Sequence, residues 1–161
     1  MNRVNDVLRD LRTLVAETGP RLGAIGEEQS LDRGPGKWSR REILGHLVDS
    51  ALNNHQRVVR GQLAVELVFP GYQQDEWVAV QGFHDRPWKD TVSLWTVANH
   101  HLAEAIARVP DEQLDTPWTL ASERPITLEF MIRDYPKHLR HHLQQIFEPE
   151  VAAGKHHDPH A

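Results

Sequence analysis

Cysteine is absent from the 161-residue chain, which removes disulfides, thiolate zinc sites and a cysteine nucleophile together. Any metal must therefore be held by nitrogen and oxygen. No stretch approaches the roughly 18 consecutive apolar residues of a membrane-spanning helix, and Met1-Asn2-Arg3-Val4-Asn5-Asp6 lacks the apolar core of a signal peptide. The expectation is a cytoplasmic protein with no membrane partner. Positive charge is not in excess: the formal net charge is −5 and the pI is near 6.1, which leaves no electrostatic footprint for nucleic acid. Internal repeats, a phosphate-cradling glycine loop and a Gly-x-Ser-x-Gly elbow are also missing.

What the chain does have is helical periodicity. Val4, Val7, Leu8, Leu11, Leu14 and Val15 follow 3.6-residue spacing, with Asn2 as a candidate cap. Gly19-Pro20 is expected to interrupt this helix, leaving a short continuation towards Glu28 before the loop at Gly34-Pro35-Gly36. Ser39-Arg40-Arg41-Glu42 has the form of a capping box. The helix it opens is expected to run to about Phe69, where Pro70-Gly71 stops it, with Ile43, Leu44, Leu47, Val48 and Leu52 as its apolar face.

Residues 70–90 read as a long connection with one short helix around Asp75 to Val80, and Trp77 and Trp88 read as packing residues. A third long helix begins near Asp90 and ends before Pro110, with Leu94, Val97, Ala98, His101, Ala105 and Ile106 at core spacing and His100 facing out. A second long connection follows. Thr127 caps a fourth helix reaching about Phe147, with Pro136 bending it just before His138. The sum is an all-α four-helix bundle with two long connections over residues 1–150 and a polar, mobile tail over 151–161.

Histidine is abundant, with 11 residues. His138 and His142 lie one turn apart on the stripe of Leu128, Met131, Tyr135 and Ile146, so both rings point inward. An i,i+4 pair supplies two ligands from one rigid helix, and His46 would complete a three-His set with open positions. Ordinary core histidines, or a solvated His-rich helix, are the competing explanation. On the second helix His46, Asp49, Ser50, Asn53 and Arg57 form one polar stripe, which is either a wet face or a ligand-facing one.

The run Trp38-Ser39-Arg40-Arg41-Glu42-Ile43-Leu44-Gly45-His46-Leu47-Val48-Asp49-Ser50, with Asn53, Arg57, Tyr72, Asp75-Glu76-Trp77, Ser93-Leu94 and Tyr135 through His142 with Ile146, resembles the DinB-like superfamily. Within it the chain looks most like the metal-dependent bacillithiol transferase (YfiT-type) branch. The resemblance implies a four-helix bundle, often a homodimer, with one divalent ion, zinc or nickel, held by His46, His138 and His142. It also places Asp49, Ser50, Asn53 and Arg57 at positions this branch shares, and His101 at a third-helix histidine.

Three neutral imidazoles leave the ion's charge uncompensated and its Lewis acidity intact. With no cysteine in the chain, a thiolate nucleophile would have to come from a small cosubstrate. The leading expectation is a transferase that activates a low-molecular-weight thiol for attack on an electrophilic small molecule. Asp49 would serve as proton acceptor or partner of a ligand, and Asn53, Arg57 and His101 would bind substrate. A hydrolase using water, and a metal-binding stress module without turnover, are the alternatives.

Overall fold

A computed structural model describes residues 3–33, 38–120 and 124–148. In chain order they form α1 (Asn5–Gly23), α2 (Arg40–Gly61), β1 (Leu67–Phe69), α3 (Gln74–Val80), α4 (Trp88–Ile106), β2 (Pro117–Leu120), β3 (Ile126–Thr127) and α5 (Leu128–Phe147). Helix α2 packs on α4 and α5, and α1 packs on the same two. The fold is the expected four-helix bundle, and its first two helices in the chain occupy diagonal corners. The core comprises Leu8, Leu11 and Val15 of α1, Leu44, Leu47 and Val58 of α2, Trp95, Leu102 and Ile106 of α4, and Ile132, Leu139 and Ile146 of α5. Asp6 and Asp10 of α1 pair with Arg133 and Arg140 of α5 at 2.9 and 2.6 Å; such exposed pairs, screened by solvent, add little to stability.

Two of the three caps read from the sequence are seen. Ser39 Oγ accepts from the Glu42 amide at 3.3 Å while the Glu42 carboxylate accepts from the Ser39 amide at 2.6 Å, and Thr127 Oγ1 accepts from the Phe130 amide at 3.1 Å. The cap at Asn2, the Gly34-Pro35-Gly36 loop and the polar tail lie outside the described residues.

Five expectations are corrected. Helix α1 does not stop at Gly19-Pro20 but continues to Gly23. Burial of Thr18 and Leu22, and the bond from Trp88 Nε1 to the Leu22 carbonyl at 2.8 Å, offset the single backbone bond that proline removes. Helix α2 ends at Gly61, not near Phe69. Gly61, a residue that favours helix ends, sits against Leu128 at the start of α5, where a Cβ would lie 3.2 and 3.3 Å from the Leu128 methyl carbons. Leu67-Val68-Phe69 then pairs in parallel with Trp118-Thr119-Leu120, and β2 pairs antiparallel with β3. This small sheet across the two connections was not expected. On α4 the buried face is Thr91, Trp95, Ala98, Asn99, Leu102, Ala103 and Ile106, which turns Val97 and His101 outward. On α2, Leu52 is likewise exposed. Pro136 lies inside α5 without ending it.

Among the described glycines, Gly45 meets its neighbour most closely. A Cβ there would fall 2.2–2.7 Å from ring carbons of Phe83, itself fully buried. Gly45→Ala is expected to lower stability by about 1–3 kcal/mol or more, read as a fall in the denaturant midpoint. Because Gly45 precedes His46, the same change should disturb the site described next.

Candidate metal centre and adjoining cavity

Packing of α2 against α5 brings three imidazoles together. One ring nitrogen each of His46, His138 and His142 lies within 4.8 Å of the other two. The rings meet edge to face, with centroids 5.3 Å apart for His46–His138, 4.7 Å for His46–His142 and 4.6 Å for His138–His142. His46 is fully buried and His142 buried, while His138 is partly open. Trp38 covers the His46 ring at 5.2 Å.

This donor set suits a divalent ion. His142 Nδ1 lies 2.9 Å from Gln145 Oε1; an amide oxygen only accepts, so Nδ1 carries the proton and Nε2 is left as the lone-pair nitrogen. That is the orientation a ligating histidine needs. Neutral nitrogen donors favour zinc, nickel and their neighbours over calcium or magnesium. Among the described residues no other group of His, Asp and Glu converges in this way.

Asp49, one turn along α2 from His46, is buried, and both its oxygens accept from Gln81 Nε2 at 2.9 Å. Burial pushes its pKa up to about 6, against smaller lowering effects of the Gln81 bond and the Arg86 charge. The carboxyl thus titrates just below neutrality.

A cavity of about 530 Å³ opens beside the triad, and His138 forms part of its wall. Ser50, Asn54 and Arg57 of α2 line it, with Tyr72 and Trp118 from the connections and Asp134 and Tyr135 from α5. Its apolar wall includes Leu120, Ile126 and Met131. Asn54 and Ser50 are tied together, Asn54 Nδ2 donating to the Ser50 carbonyl at 2.9 Å. Tyr135 Oη donates to Asn99 Oδ1 at 2.7 Å, and burial raises its pKa. Burial also pushes the Tyr72 phenol up to about 12, so both phenols stay neutral.

Residues 9–146 match the family model of the DinB superfamily. The chain belongs to that superfamily. Its fold is that of YfiT from Bacillus subtilis, with a TM-score of 0.81 at 19% identity, covering 94% of this chain and 88% of that one. YfiT is described as a probable metal-dependent hydrolase with an unusual four-helix bundle topology. A protein of Oceanobacillus iheyensis, named provisionally as a metal-dependent hydrolase, is 23% identical over 144 residues, or 89% of this chain and 83% of that protein.

In this DinB superfamily member the structure brings His46, His138 and His142 together and places Arg57 in the adjoining cavity. It does not bring Asn53 or His101 there. Asn53 Nδ2 bonds back to the Asp49 carbonyl at 2.9 Å, and Asn54 lines the cavity in its place. His101 is exposed and stacks on His55 with centroids 4.3 Å apart. Trp88 packs as expected, whereas Trp77 remains partly exposed against Tyr72. Sequence reasoning missed Gln81, Gln145, Asn54 and Trp118. Gln145 had a local signal, lying three residues after His142 on the same helix. Gln81 and Trp118 had none, because their partners lie far away in the chain.

Proposed function

We propose that this protein is a metal-dependent enzyme that joins a low-molecular-weight thiol to an electrophilic small molecule. The observation that carries the reading is the convergence of His46, His138 and His142 at the wall of a cavity large enough for such a substrate. A divalent zinc or nickel ion held there supplies Lewis acidity and lowers the pKa of a thiol or water that reaches it.

The chain's own residues do the remainder. Gln145 fixes the tautomer of His142, and Gln81 holds both oxygens of Asp49. Asp49 lies one turn along α2 from His46 and outside the cavity lining; with a pKa near 6 it is ionised at neutral pH and would take up a proton passed on from an incoming nucleophile. The apolar wall and the indole of Trp118 exclude water from the reactant's body, while Arg57 offers a fixed positive charge.

The descriptions of the two relatives favour a second reading, in which water replaces the thiol and the protein is a hydrolase. Turnover of an electrophile panel with and without added thiol, on zinc- and nickel-loaded protein, separates the two. The expected result is product formation that requires thiol and rises with its concentration. Equal rates without thiol would establish the hydrolase, and no turnover with either nucleophile would remove both.

A further inference from the structure

Arg57 is only 8% exposed and Trp118 only 5%. Both line the cavity. Arg57 Nε and Trp118 Nε1 are buried donors that find no hydrogen-bond acceptor among the described residues. A guanidinium and an indole N–H can only donate, and leaving such groups buried without an acceptor is costly. The two are also assembled as one unit. The Arg57 guanidinium carbon lies 4.9 Å from the Trp118 ring centre and 5.2 Å from that of Phe69. Those rings come from the paired strands β1 and β2, so stacking holds the charge in place.

Among the described residues no acid pairs with it. The carboxylate that shares the cavity, Asp134, pairs with Lys137 at 3.2 Å, and the nearby Tyr72 is a neutral phenol. A fixed cation beside a second donor, in a cavity whose lining continues into Leu120 and Ile126 next to Trp118, is complementary to a planar anion carrying an apolar body. We propose that Arg57 and Trp118 form a carboxylate-binding subsite, so that one reactant of this enzyme is a carboxylic acid whose hydrocarbon portion lies along Leu120, Ile126 and Met131. This deepens the reading above and rests on it only for assigning the cavity to a reactant.

The test uses the full chain freed of metal, so that the acid cannot bind at the triad instead. Binding of 3-phenylpropanoate and of its amide is measured by calorimetry, while the indole N–H signal of Trp118 is followed by NMR. The acid is expected to bind about tenfold tighter or more than the amide and to move that signal downfield. Arg57→Gln should lower the preference at least several-fold even though the exposed Arg124 also lines the cavity, and Trp118→Phe, which keeps the ring beneath Arg57, should reduce it several-fold. Equal binding of acid and amide by the native protein would overturn the proposal, as would an undiminished preference in folded Arg57→Gln. If that variant does not fold, Trp118→Phe and the native indole signal decide.

On zinc-loaded protein, 3-mercaptopropanoate and 2-mercaptoethanol show which reactant bears the acid. A tenfold advantage for the former, lost in Trp118→Phe, together with expulsion of 3-phenylpropanoate, assigns it to the thiol. Simultaneous binding of 3-phenylpropanoate and 2-mercaptoethanol assigns it to the electrophile. Acid preference without turnover would sink the enzymatic reading and spare the subsite; thiol-dependent turnover without acid preference would do the reverse.

Discussion

His46→Ala is expected to abolish stoichiometric binding of zinc or nickel while the helical circular dichroism spectrum is kept. His138 and His142 come from one helix, and only His46 ties the ion to α2. Without it two cis nitrogens remain, a set that a small chelator or the buffer can outcompete. Losing even a hydrogen-bond partner of a ligating histidine costs about 10–100-fold in affinity, so loss of the ligand itself should exceed the upper end of that range. Gln145→Ala, which frees the His142 ring without touching a ligand, should fall within it. The exposed His101 makes a suitable control, and His101→Ala should bind as the native protein does. Metal content after dialysis, with titration of the apoprotein, measures all three. Unchanged zinc content in folded His46→Ala would remove the metal centre and the enzymatic proposal with it.

Part of the triad was legible locally, and the resemblance supplied the rest, because no local pattern shows that α2 meets α5 at His46. The i,i+4 pair follows from helical spacing alone, and His46 lies within a helix whose start is declared by Ser39 and Glu42. The same reasoning failed on α4, where Ala98, Ala103 and Ala105 flank the histidines and carry little contrast between faces. A shift of one residue in the apparent stripe was enough to turn His101 from outside to inside. On α2 the stripe argument chose Asn53 over Asn54, although wrapping by several elements buries far more than one stripe of this helix. The cavity wall was harder still. Trp118 meets Arg57 only because residues 67–69 and 117–120 pair as parallel strands, and strand pairing across about fifty residues is written in tertiary packing rather than local pattern. Helix existence was therefore readable, whereas the end of α2 was placed at Pro70-Gly71 when the earlier Gly61 was the stop.

Asp49 sets the second large effect, and its sign is opposite to that of an ordinary paired carboxylate. Its pKa is raised from 3.8 to about 6 in the folded chain, so between those values the native state binds more protons than the unfolded one. The associated stability is complete below about pH 3.8 and is lost as the pH rises through 6. At about 1.4 kcal/mol per pKa unit the loss has a ceiling near 3 kcal/mol. Asp6, Glu104 and Asp115, held low by arginine neighbours, give slopes of the other sign, so the native profile alone does not isolate the effect. The difference between native protein and Asp49→Asn does. The amide keeps one bond to Gln81 and loses the other, at a cost of about 1 kcal/mol. Metal-free Asp49→Asn is therefore expected to be less stable than the native protein at pH 4 and about 2 kcal/mol more stable at pH 8, by denaturant unfolding at each pH. A difference curve that stays flat from pH 4 to 8 would show that Asp49 titrates as an ordinary carboxylate. That result would also deprive the proposed reaction of its proton acceptor, because an acid ionised near its usual range is too weak a base for the task.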